Sequence, residues 1–386
     1  MECYIMKRQA ISKNLNLKLA LITLILGLTT GANLWCPAAI LPEKINILTK
    51  REKEIIALII AEGPASQAAR TYLLGAAETG AIGLVAAILD IGVDVNSQND
   101  NRETALMHAA ANGSISATAF LLAKGANPNI QENINGDTAL LLVLFKGHGE
   151  IANLLINHDS NNVNLVNNDG IAPLMIAAAK NQIDVVKLLL VKGASPNLKI
   201  TVNGNTALIL ALSEGHDEIV SLLINHANTD VNLATNKGAT PLMMAVIENR
   251  IAAVQLLLAK KANPNSQGIT YGKTALLLAI DNNNVEIVRL LLSCDNIDLY
   301  VKNKAGEDAM ARIEIFLVNC RVGGFIGEEQ AKMLQIQALF HSKLMAVEAA
   351  AAECQRAAML AQLSLAMADS DRTDDCGAGA SESKEN

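Results

Sequence analysis

Aromatic residues are scarce in this sequence, which has one Trp, four Tyr and five Phe among 386 residues. Because 51% of the residues are hydrophobic, the chain can still bury a large core and is not disordered throughout. An aliphatic core with so few aromatics suggests many small packing layers of similar composition. Eight prolines and 25 glycines exclude collagen-like and proline-rich architectures.

Excess positive charge is also missing. The net charge is −7 and no group of aromatic residues offers a stacking platform for bases, so the composition argues against a nucleic-acid binder. None of the six cysteines forms a Cys-x-x-Cys pair or lies at metal-ligand spacing from a histidine. The sequence therefore predicts no metal site, no dense disulfide framework and no cofactor.

The N-terminus has the features of an export signal. Four basic residues precede position 19, and 24 uncharged residues then extend from Leu19 to Pro42. Small residues follow the apolar segment Leu19–Leu28, which predicts a signal peptide over residues 1–32, cleaved after Ala32, and export to the periplasm or the medium. An uncleaved inner-membrane anchor over residues 19–42 is the alternative, because about 20 apolar residues span a bilayer.

An internal repeat occupies the middle of the chain. Variants of Thr-Ala-Leu or Thr-Pro-Leu recur, and each begins 34 residues after the one before it. They begin at Thr104, Thr138, Ala172, Thr206, Thr240, Thr274 and Asp308. An earlier and more divergent copy begins at Thr71. A constant period of this length indicates a solenoid of repeated units.

Each unit has the pattern of two short helices followed by a polar loop. Nine residues after every start from 71 to 274 stands a Gly or an Asn, and both tolerate the left-handed conformation that ends a helix. A second apolar stretch with a Leu-rich end follows, such as Ile183–Leu190. Segments rich in Asn, Asp and Gly, such as 193–204, then have the chemistry of turns.

This pattern resembles the ankyrin repeat. The motifs that carry the resemblance are Gly-x-Thr-Pro-Leu at 238–242, Gly-His at 215–216, Leu-Leu-Leu at 256–258 and Gly-Ala-Asn-Pro-Asn at 125–129. The resemblance implies an all-α solenoid of seven to eight helix-turn-helix repeats, seven over residues 71–305 and a partial one over 306–327. An export signal beside such an array is similar to exported ankyrin repeat proteins of bacteria.

One position departs from the ankyrin pattern. Where the family has a His after Thr-Pro-Leu, this chain has Met107, Leu141, Met175, Ile209, Met243 and Leu277. The replacement predicts an apolar contact between repeats instead of hydrogen bonding through the His. Because Met alternates with Leu or Ile, and loop lengths alternate in step, the true period is 68 residues, which indicates duplication of a two-repeat block.

Three further segments flank the repeats. Residues 43–70 contain a helical pattern that we expect to cap the first repeat, since a terminal unit needs an outer face that water tolerates. Residues 328–367 form a long Ala-rich helical stretch with apolar residues at helical spacing. This stretch either docks as a C-terminal cap or pairs with another chain. We expect the acidic segment 368–386 to be disordered.

No arrangement of residues indicates catalysis. Gly268–Thr274 resembles a phosphate-binding loop, but it has one residue too few between its glycines and lies at a loop-to-helix step of a repeat. The histidines are explained by the repeats: His148 and His216 open second helices, and His108 fills an aliphatic position, which predicts a packed side chain. We therefore expect a protein that is not an enzyme.

The resemblance implies that another protein binds the concave face, which is built from loop tips and the exposed side of each first helix. The corresponding loop-tip residues are Glu103, Ile134, Asp137, Val202, Asn205, Tyr271 and Lys273. The corresponding helix-surface residues are Asn112, Phe145, Lys146, Lys180, Glu214, Ile247, Glu248, Asp281 and Asn282. Phe145 and Tyr271 are the best anchors, because aromatic residues are enriched at binding hot spots.

Several alternatives stay open at this point. Phe145 could instead pack between neighbouring first helices, and Tyr271 could be an exposed tip without a partner. A second hypothesis for the whole protein is a structural or assembly role, with oligomers formed through residues 328–367. A third is an enzyme within residues 306–386, which would need a strand pattern that the sequence does not show. Membrane contact is expected only through residues 19–42.

Overall fold

The computed structural model describes residues 48–323 and 327–373. Within these residues all regular elements are helices, apart from one isolated bridge between Gln98 and Thr104. The predicted all-α repeat fold is confirmed. The predicted leader, residues 1–32, and the alternative anchor, residues 19–42, lie outside the described part of the chain. The chain divides into two compact units, residues 1–229 and 230–386.

The first unit contains eleven helices among its described residues. They are α1 (Lys50–Glu62), α2 (Gln67–Glu78), α3 (Ile82–Asp90), α4 (Ala105–Ala111), α5 (Ile115–Ala123), α6 (Ala139–Lys146), α7 (Gly149–Asn157), α8 (Pro173–Ala179), α9 (Ile183–Val191), α10 (Ala207–Glu214) and α11 (Asp217–Asn225). From α2 onward the helices form five pairs. Each first helix packs on the first helix of the next pair, and each second helix on the next second helix.

The N-terminal helix α1 packs on both helices of the first pair, as expected for a cap. Ile56 and Ile59 are buried there. The first pair differs from the prediction in one respect, because α2 begins one turn before Thr71. Ser66 is the N-cap residue of α2, and Thr71 lies inside the helix with its hydroxyl donating to the carbonyl of Gln67.

The short first helices are held by their N-caps and by buried Ala and Leu. In α6, for example, Ala139, Leu140 and Leu141 are all at most 1% exposed, and the Thr138 hydroxyl accepts a hydrogen bond from the backbone N–H of Leu141. The residues that replace the family histidine are all buried, at 2% exposure or less. Each of these side chains therefore lies in the interior, as the predicted apolar contact requires.

The predicted helix ends are confirmed as well. All seven Gly or Asn residues at these ends have a positive φ, between 52° and 83°. They are Gly80, Gly113, Gly147, Asn181, Gly215, Asn249 and Asn283. Glycine adopts this conformation without strain and Asn tolerates it, so the chain can turn sharply into the second helix of each pair.

The start of α8 lacks the side-chain cap that five other first helices have, because Ala172 has no side-chain acceptor. The capping residues of those five helices are Thr104, Thr138, Thr206, Thr240 and Thr274. Thr240 holds the same place before the same Pro-Leu-Met sequence, with nearly the same backbone angles, and its hydroxyl accepts from the Met243 N–H. We expect Ala172→Thr to stabilise the first unit by about 1 kcal/mol, and Thr240→Ala to cost the second unit about as much. Urea unfolding of both variants tests this. A loss of stability in Ala172→Thr would contradict it.

The second unit contains six helices among its described residues. They are α12 (Pro241–Ile247), α13 (Ile251–Ala259), α14 (Ala275–Asp281), α15 (Val285–Leu292), α16 (Ala309–Gly323) and α17 (Glu328–Thr373). Helices α12 to α15 form two further pairs, and α16 packs on α14 as the first helix of the next pair would. Helix α17 packs on both α15 and α16, so its N-terminal part serves as the C-terminal cap.

The cap uses the apolar residues that the sequence pattern singled out. Met333, Ile336 and Phe340 of α17 are at most 3% exposed. Beyond this contact α17 continues with exposed side chains over 345–362.

The prediction of disorder from residue 368 is wrong for residues 368–373, which belong to α17, and the remainder, 374–386, lies outside the described residues. In the described ranges, no helix combines the length and apolarity needed to cross a membrane.

Candidate partner-binding surface

The loop tips of neighbouring repeats are tied together through their backbones. In the first unit three backbone N–H groups each donate to a carbonyl of the preceding tip, at 2.8–2.9 Å. The donor and acceptor pairs are Asn133 to Asn101, Asn168 to Asn135, and Thr201 to Asp169. These bonds involve no side chain, so the side chains at the tips can vary without loss of the framework that positions them.

The loops after the second helices are joined by asparagine side chains. The amide of Asn129 donates to the carbonyl of Ser160 at 2.5 Å, and its oxygen accepts from the backbone N–H of Asn162 at 2.8 Å. Asn occupies the equivalent position in six successive repeats, alternately 33 and 35 residues apart. These residues are Asn96, Asn129, Asn164, Asn197, Asn232 and Asn265. The alternation follows the 68-residue block, and it gives the high Asn content a structural reason.

The C-terminal ends of first helices are also capped from the next repeat. His148 and His216 open second helices as predicted, and the Nε2–H of each donates to a carbonyl of the preceding repeat, that of Ala111 at 3.1 Å and that of Ala179 at 3.0 Å. Gln182 does the same to the carbonyl of Leu144. These side chains are structural. Each donates to a carbonyl at the end of a first helix, where no backbone N–H of that helix is left to donate to it.

The predicted helix-surface residues of the first unit are all exposed. They are Asn112, Phe145, Lys146, Lys180 and Glu214, and each lies in the last turn or at the C-cap of a first helix. Phe145 is 40% exposed, so part of the ring packs against its surroundings and part is available to a partner. The successive first helices thus present a row of side chains along one layer of the unit.

The predicted tip residues of the first unit have different environments. Ile134 and Val202 are 63% and 80% exposed, whereas Glu103 and Asn205 are partly exposed. Glu103 accepts a hydrogen bond from Asn99 at 2.6 Å and lies 3.4 Å from His108. His108 is packed in part, as its side chain is 25% exposed, and it also lies 3.8 Å from Glu78.

Asp137 is not part of the exposed surface, and its prediction as a contact residue is wrong. It is 5% exposed and accepts a hydrogen bond from Asn167 at 2.9 Å. Burial raises the pKa of Asp137, and the nearby Glu132 carboxylate adds to the rise. Asp137 therefore supports the tip from inside.

Glu132 is a second buried acid at this tip, which the sequence analysis did not identify. Its carboxylate accepts from the backbone N–H groups of Ile134, Asn135 and Asp137 at 2.5, 2.7 and 3.0 Å. Burial by itself raises the pKa of Glu132, but these donors outweigh it, and the pKa lies below its ordinary value. The ionised carboxylate thus organises the loop that presents Ile134.

Two predicted residues of the second unit belong to an ion-pair network. Lys273 Nζ lies 2.6 Å from Asp281 Oδ2, and the other oxygen of Asp281 accepts from Arg312 Nε. Arg312 also lies 3.6 Å from Glu307. The hydrogen bond with Asp281 raises the pKa of Arg312. Asp281 is therefore neutralised from two sides, which reduces its value as a contact for an external cation.

The remaining predicted residues of the second unit are exposed. Tyr271 is 70% exposed and Ile247 45%, and Glu248 and Asn282 are the C-cap residues of α12 and α14. The Lys273 ammonium lies 5.8 Å from the centre of the Tyr271 ring, within reach of a cation–π interaction. Tyr271 thus projects from a tip whose base is fixed by the ion-pair network.

The phosphate-loop resemblance at Gly268–Thr274 has a structural explanation. Thr274 caps α14 by accepting from the Leu277 N–H. Gly272 has a φ of 65°, and a Cβ there would lie 3.1 Å from the backbone nitrogen of Lys304 in the next tip. In the described part of the chain no group of three or more His, Cys, Asp or Glu residues could hold a metal ion.

Comparison with known families agrees with this geometry. The family model described as "Ankyrin repeats (3 copies)" matches residues 47–132, 73–162, 106–200 and 192–268, and the model described as "Ankyrin repeat" matches 271–304. The chain belongs to the ankyrin repeat family. Ankyrin repeats indicate a protein–protein interaction scaffold, so this chain has the architecture of one.

A curated relative of this ankyrin repeat protein is the "Ankyrin repeat and KH domain-containing protein mask-1" of Caenorhabditis elegans. The two are 37% identical over 98 residues. This segment is 25% of the present chain and 4% of the relative, so the similarity concerns the repeats and not the whole protein.

Proposed function

We propose that this ankyrin repeat protein is a non-enzymatic scaffold that binds a protein partner on its first-helix and loop-tip surfaces. One observation carries the proposal: the tips are joined by backbone hydrogen bonds, while the side chains they present vary from repeat to repeat. Binding then needs little change of shape, because the framework is already formed. Phe145 and Tyr271 supply the aromatic contacts.

The proposal is tested by capture with matched variants of the first unit. The full chain is immobilised, a partner is captured from a cell extract, and the triple variant Phe145→Ala, Lys146→Ala and Lys180→Ala is compared with it. The control removes the same charge and one exposed apolar side chain, but at the second helices: Val191→Ala, Lys124→Ala and Lys192→Ala. We expect at least about tenfold less partner with the first variant only, because the loss of one interface anchor worth about 1–2 kcal/mol already weakens binding about five- to thirtyfold. Equal capture by both variants would contradict the proposal.

Assembly through α17 is a second candidate function, and one observation favours it. All side chains over 345–362 are exposed, including Met345, Met359 and Leu360 at 64–67%. Light scattering on the full chain tests this hypothesis. An oligomer that becomes a monomer when the chain is cut after Leu344 favours assembly, because the cut keeps the buried cap residues up to Phe340. A monomeric full chain excludes it.

We also propose that the protein is exported after cleavage of its leader. The basic start, the apolar segment and the small residues that end at Ala32 support this proposal. Mass spectrometry of the N-terminus of the protein from fractionated cells tests it. A mature chain that begins at Asn33, outside the inner membrane, agrees with cleavage. An intact Met1 in the membrane fraction favours an anchor.

A further inference from the structure

Two groups of loop tips, 136 residues apart in the sequence, are joined by the same set of hydrogen bonds, all of which end on backbone carbonyls. In the first unit the donors and acceptors are the N–H of Asn133 with Asn101, the N–H of Asn168 with Asn135, and the Gln131 amide with Val166. In the second unit they are the N–H of Ile269 with Lys237, the N–H of Lys304 with Tyr271, and the Gln267 amide with Lys302. The distances are 2.8–2.9 Å and 2.8–3.0 Å. The two groups are thus copies of one framework.

The side chains on the two copies differ in chemistry. At the five acceptor and tip positions the first unit has Asn101, Asn133, Asn135, Val166 and Asn168. The second unit has Lys237, Ile269, Tyr271, Lys302 and Lys304 in their places. Because the bonds to these residues run through their backbones, the framework does not require the change. At these positions the second unit therefore has three positive charges and two large apolar side chains, where the first unit has four Asn and one Val.

These side chains are available to a partner. Ile269 and Tyr271 are 61% and 70% exposed. Lys237, Lys302 and Lys304 are exposed, and none forms an ion pair with a carboxylate of the described residues. The neighbouring acids do not neutralise them, since Asp281 is held by Lys273 and Arg312, and Glu307 lies beside Arg312. The tips of the second unit therefore combine unpaired positive charge with an apolar centre.

A local groove at these tips agrees with a ligand that inserts one side chain. A shallow groove of about 380 Å³ runs between two of these tips, with Gln267, Ile269, Lys302 and Lys304 among its lining residues. It has room for one large side chain, with lysines along its edge. Nucleic acid fits this surface less well, because Tyr271 is the one aromatic among these five tip residues, and one ring offers no series of stacking platforms.

We propose that the loop tips of the second unit bind an acidic peptide segment with a large apolar residue. The acidic groups contact Lys237, Lys302 and Lys304, and the apolar residue packs beside Ile269 and Tyr271. This inference rests on the proposed scaffold function and adds the chemistry of the partner. Since the lysines are solvent-exposed, the attraction is screened by salt and acts mainly on recognition and association rate.

The test is fluorescence polarisation of labelled 12-residue peptides with the full chain. One peptide contains Asp, Glu and Ser with a central Phe; a second has Lys in place of every acid; a third has Ser in place of the Phe. We expect the first to bind at least about tenfold more tightly than either of the others, and to weaken about tenfold between 50 and 300 mM salt. No binding of the acidic peptide, or tighter binding of the basic one, would overturn the proposal.

The first unit supplies the variants that locate the site. Lys237→Asn with Lys304→Asn, and Tyr271→Asn alone, introduce residues that the same backbone already carries at 101, 168 and 135. Folding should therefore be unchanged, which circular dichroism checks. We expect the double variant to bind the acidic peptide about tenfold more weakly. Tyr271→Asn should bind it about fivefold more weakly, and this factor should be the same at about 50 and 300 mM salt. Lys124→Asn with Lys192→Asn, the control with equal loss of charge, should bind as the parent does.

The outcomes separate this inference from the scaffold function. Unchanged peptide binding by Lys237→Asn with Lys304→Asn would overturn the site, and tighter binding of a single-stranded oligonucleotide than of the acidic peptide would overturn the ligand class. In either case a partner that is lost with the first-unit variant Phe145→Ala, Lys146→Ala and Lys180→Ala leaves the scaffold function standing. If capture depends on neither surface, the scaffold proposal fails independently of the peptide result.

Discussion

Replacing Phe340 by Ala should destabilise the second unit by about 3–5 kcal/mol, the usual cost of removing a buried aromatic ring. Phe340 is 3% exposed and lies in the part of α17 that packs on α15 and α16, together with Met333 and Ile336. The short helices of an ankyrin repeat are marginal alone, so the last ones depend on this cap. Loss of the ring should therefore unfold the end of the array first.

Hydrogen exchange followed by mass spectrometry measures this effect unit by unit. We expect faster exchange in α14 to α16 of the Phe340→Ala variant, with the first unit unchanged. Met359→Ala is the control, since Met359 is 64% exposed on the same helix and its loss should change stability by less than about 0.5 kcal/mol. If exchange in α15 and α16 is the same in both variants, α17 does not cap the array.

Glu132→Gln should cost the first unit about 2 kcal/mol at neutral pH. The Glu132 carboxylate accepts three backbone N–H groups, and hydrogen bonds to a charged acceptor are stronger than those to an amide. Because the folded-state pKa of Glu132 is lowered, its stabilisation is present above the unfolded pKa and is lost as the pH falls through the folded one. The parent and Glu132→Gln should therefore converge in acid.

Asp137→Asn should have the opposite sign, although the two acids lie in the same loop. Burial raises the pKa of Asp137, so its ionised form is disfavoured in the folded state. The substitution should add about 0.5–1 kcal/mol at neutral pH, because Asn can still accept from Asn167. The gain should be complete above the folded pKa and vanish below the unfolded one. Urea unfolding at pH 7 and near pH 3 tests both variants, and equal signs at pH 7 would contradict this account.

The sequence alone was sufficient for the repeat architecture, because the features that specify it recur. A Thr before most first helices, a Gly or Asn nine residues after it and a buried Met, Leu or Ile three residues after it appear in copy after copy. Each has a direct physical role, as the cap at Thr138 and the positive φ of Asn181 show. The first copy was placed less well, because Ser66 caps α2 and Thr71 only resembles a start.

The environments of single side chains were harder to predict. Asp137 occupies a tip position yet is buried, because the loop folds over it and over Glu132. His148 reaches a carbonyl 37 residues away, and Asp281 pairs with Arg312 of the next repeat. Such contacts depend on which repeats are neighbours in space, and a pattern within one repeat does not contain them. The loop tips over 101–168 and those over 237–304 differ in side chains, and only their shared hydrogen bonds show that they have the same framework.

Crosslinking mass spectrometry of the full chain with a captured partner tests the central claim, that binding uses the first helices and the loop tips. Lysines of these surfaces are Lys146, Lys180, Lys237, Lys273, Lys302 and Lys304. Lysines on or after the second helices are Lys124, Lys187, Lys192 and Lys260. With an amine-reactive crosslinker, the account predicts partner crosslinks at the first group and none at the second. Crosslinks concentrated at the second group would contradict it.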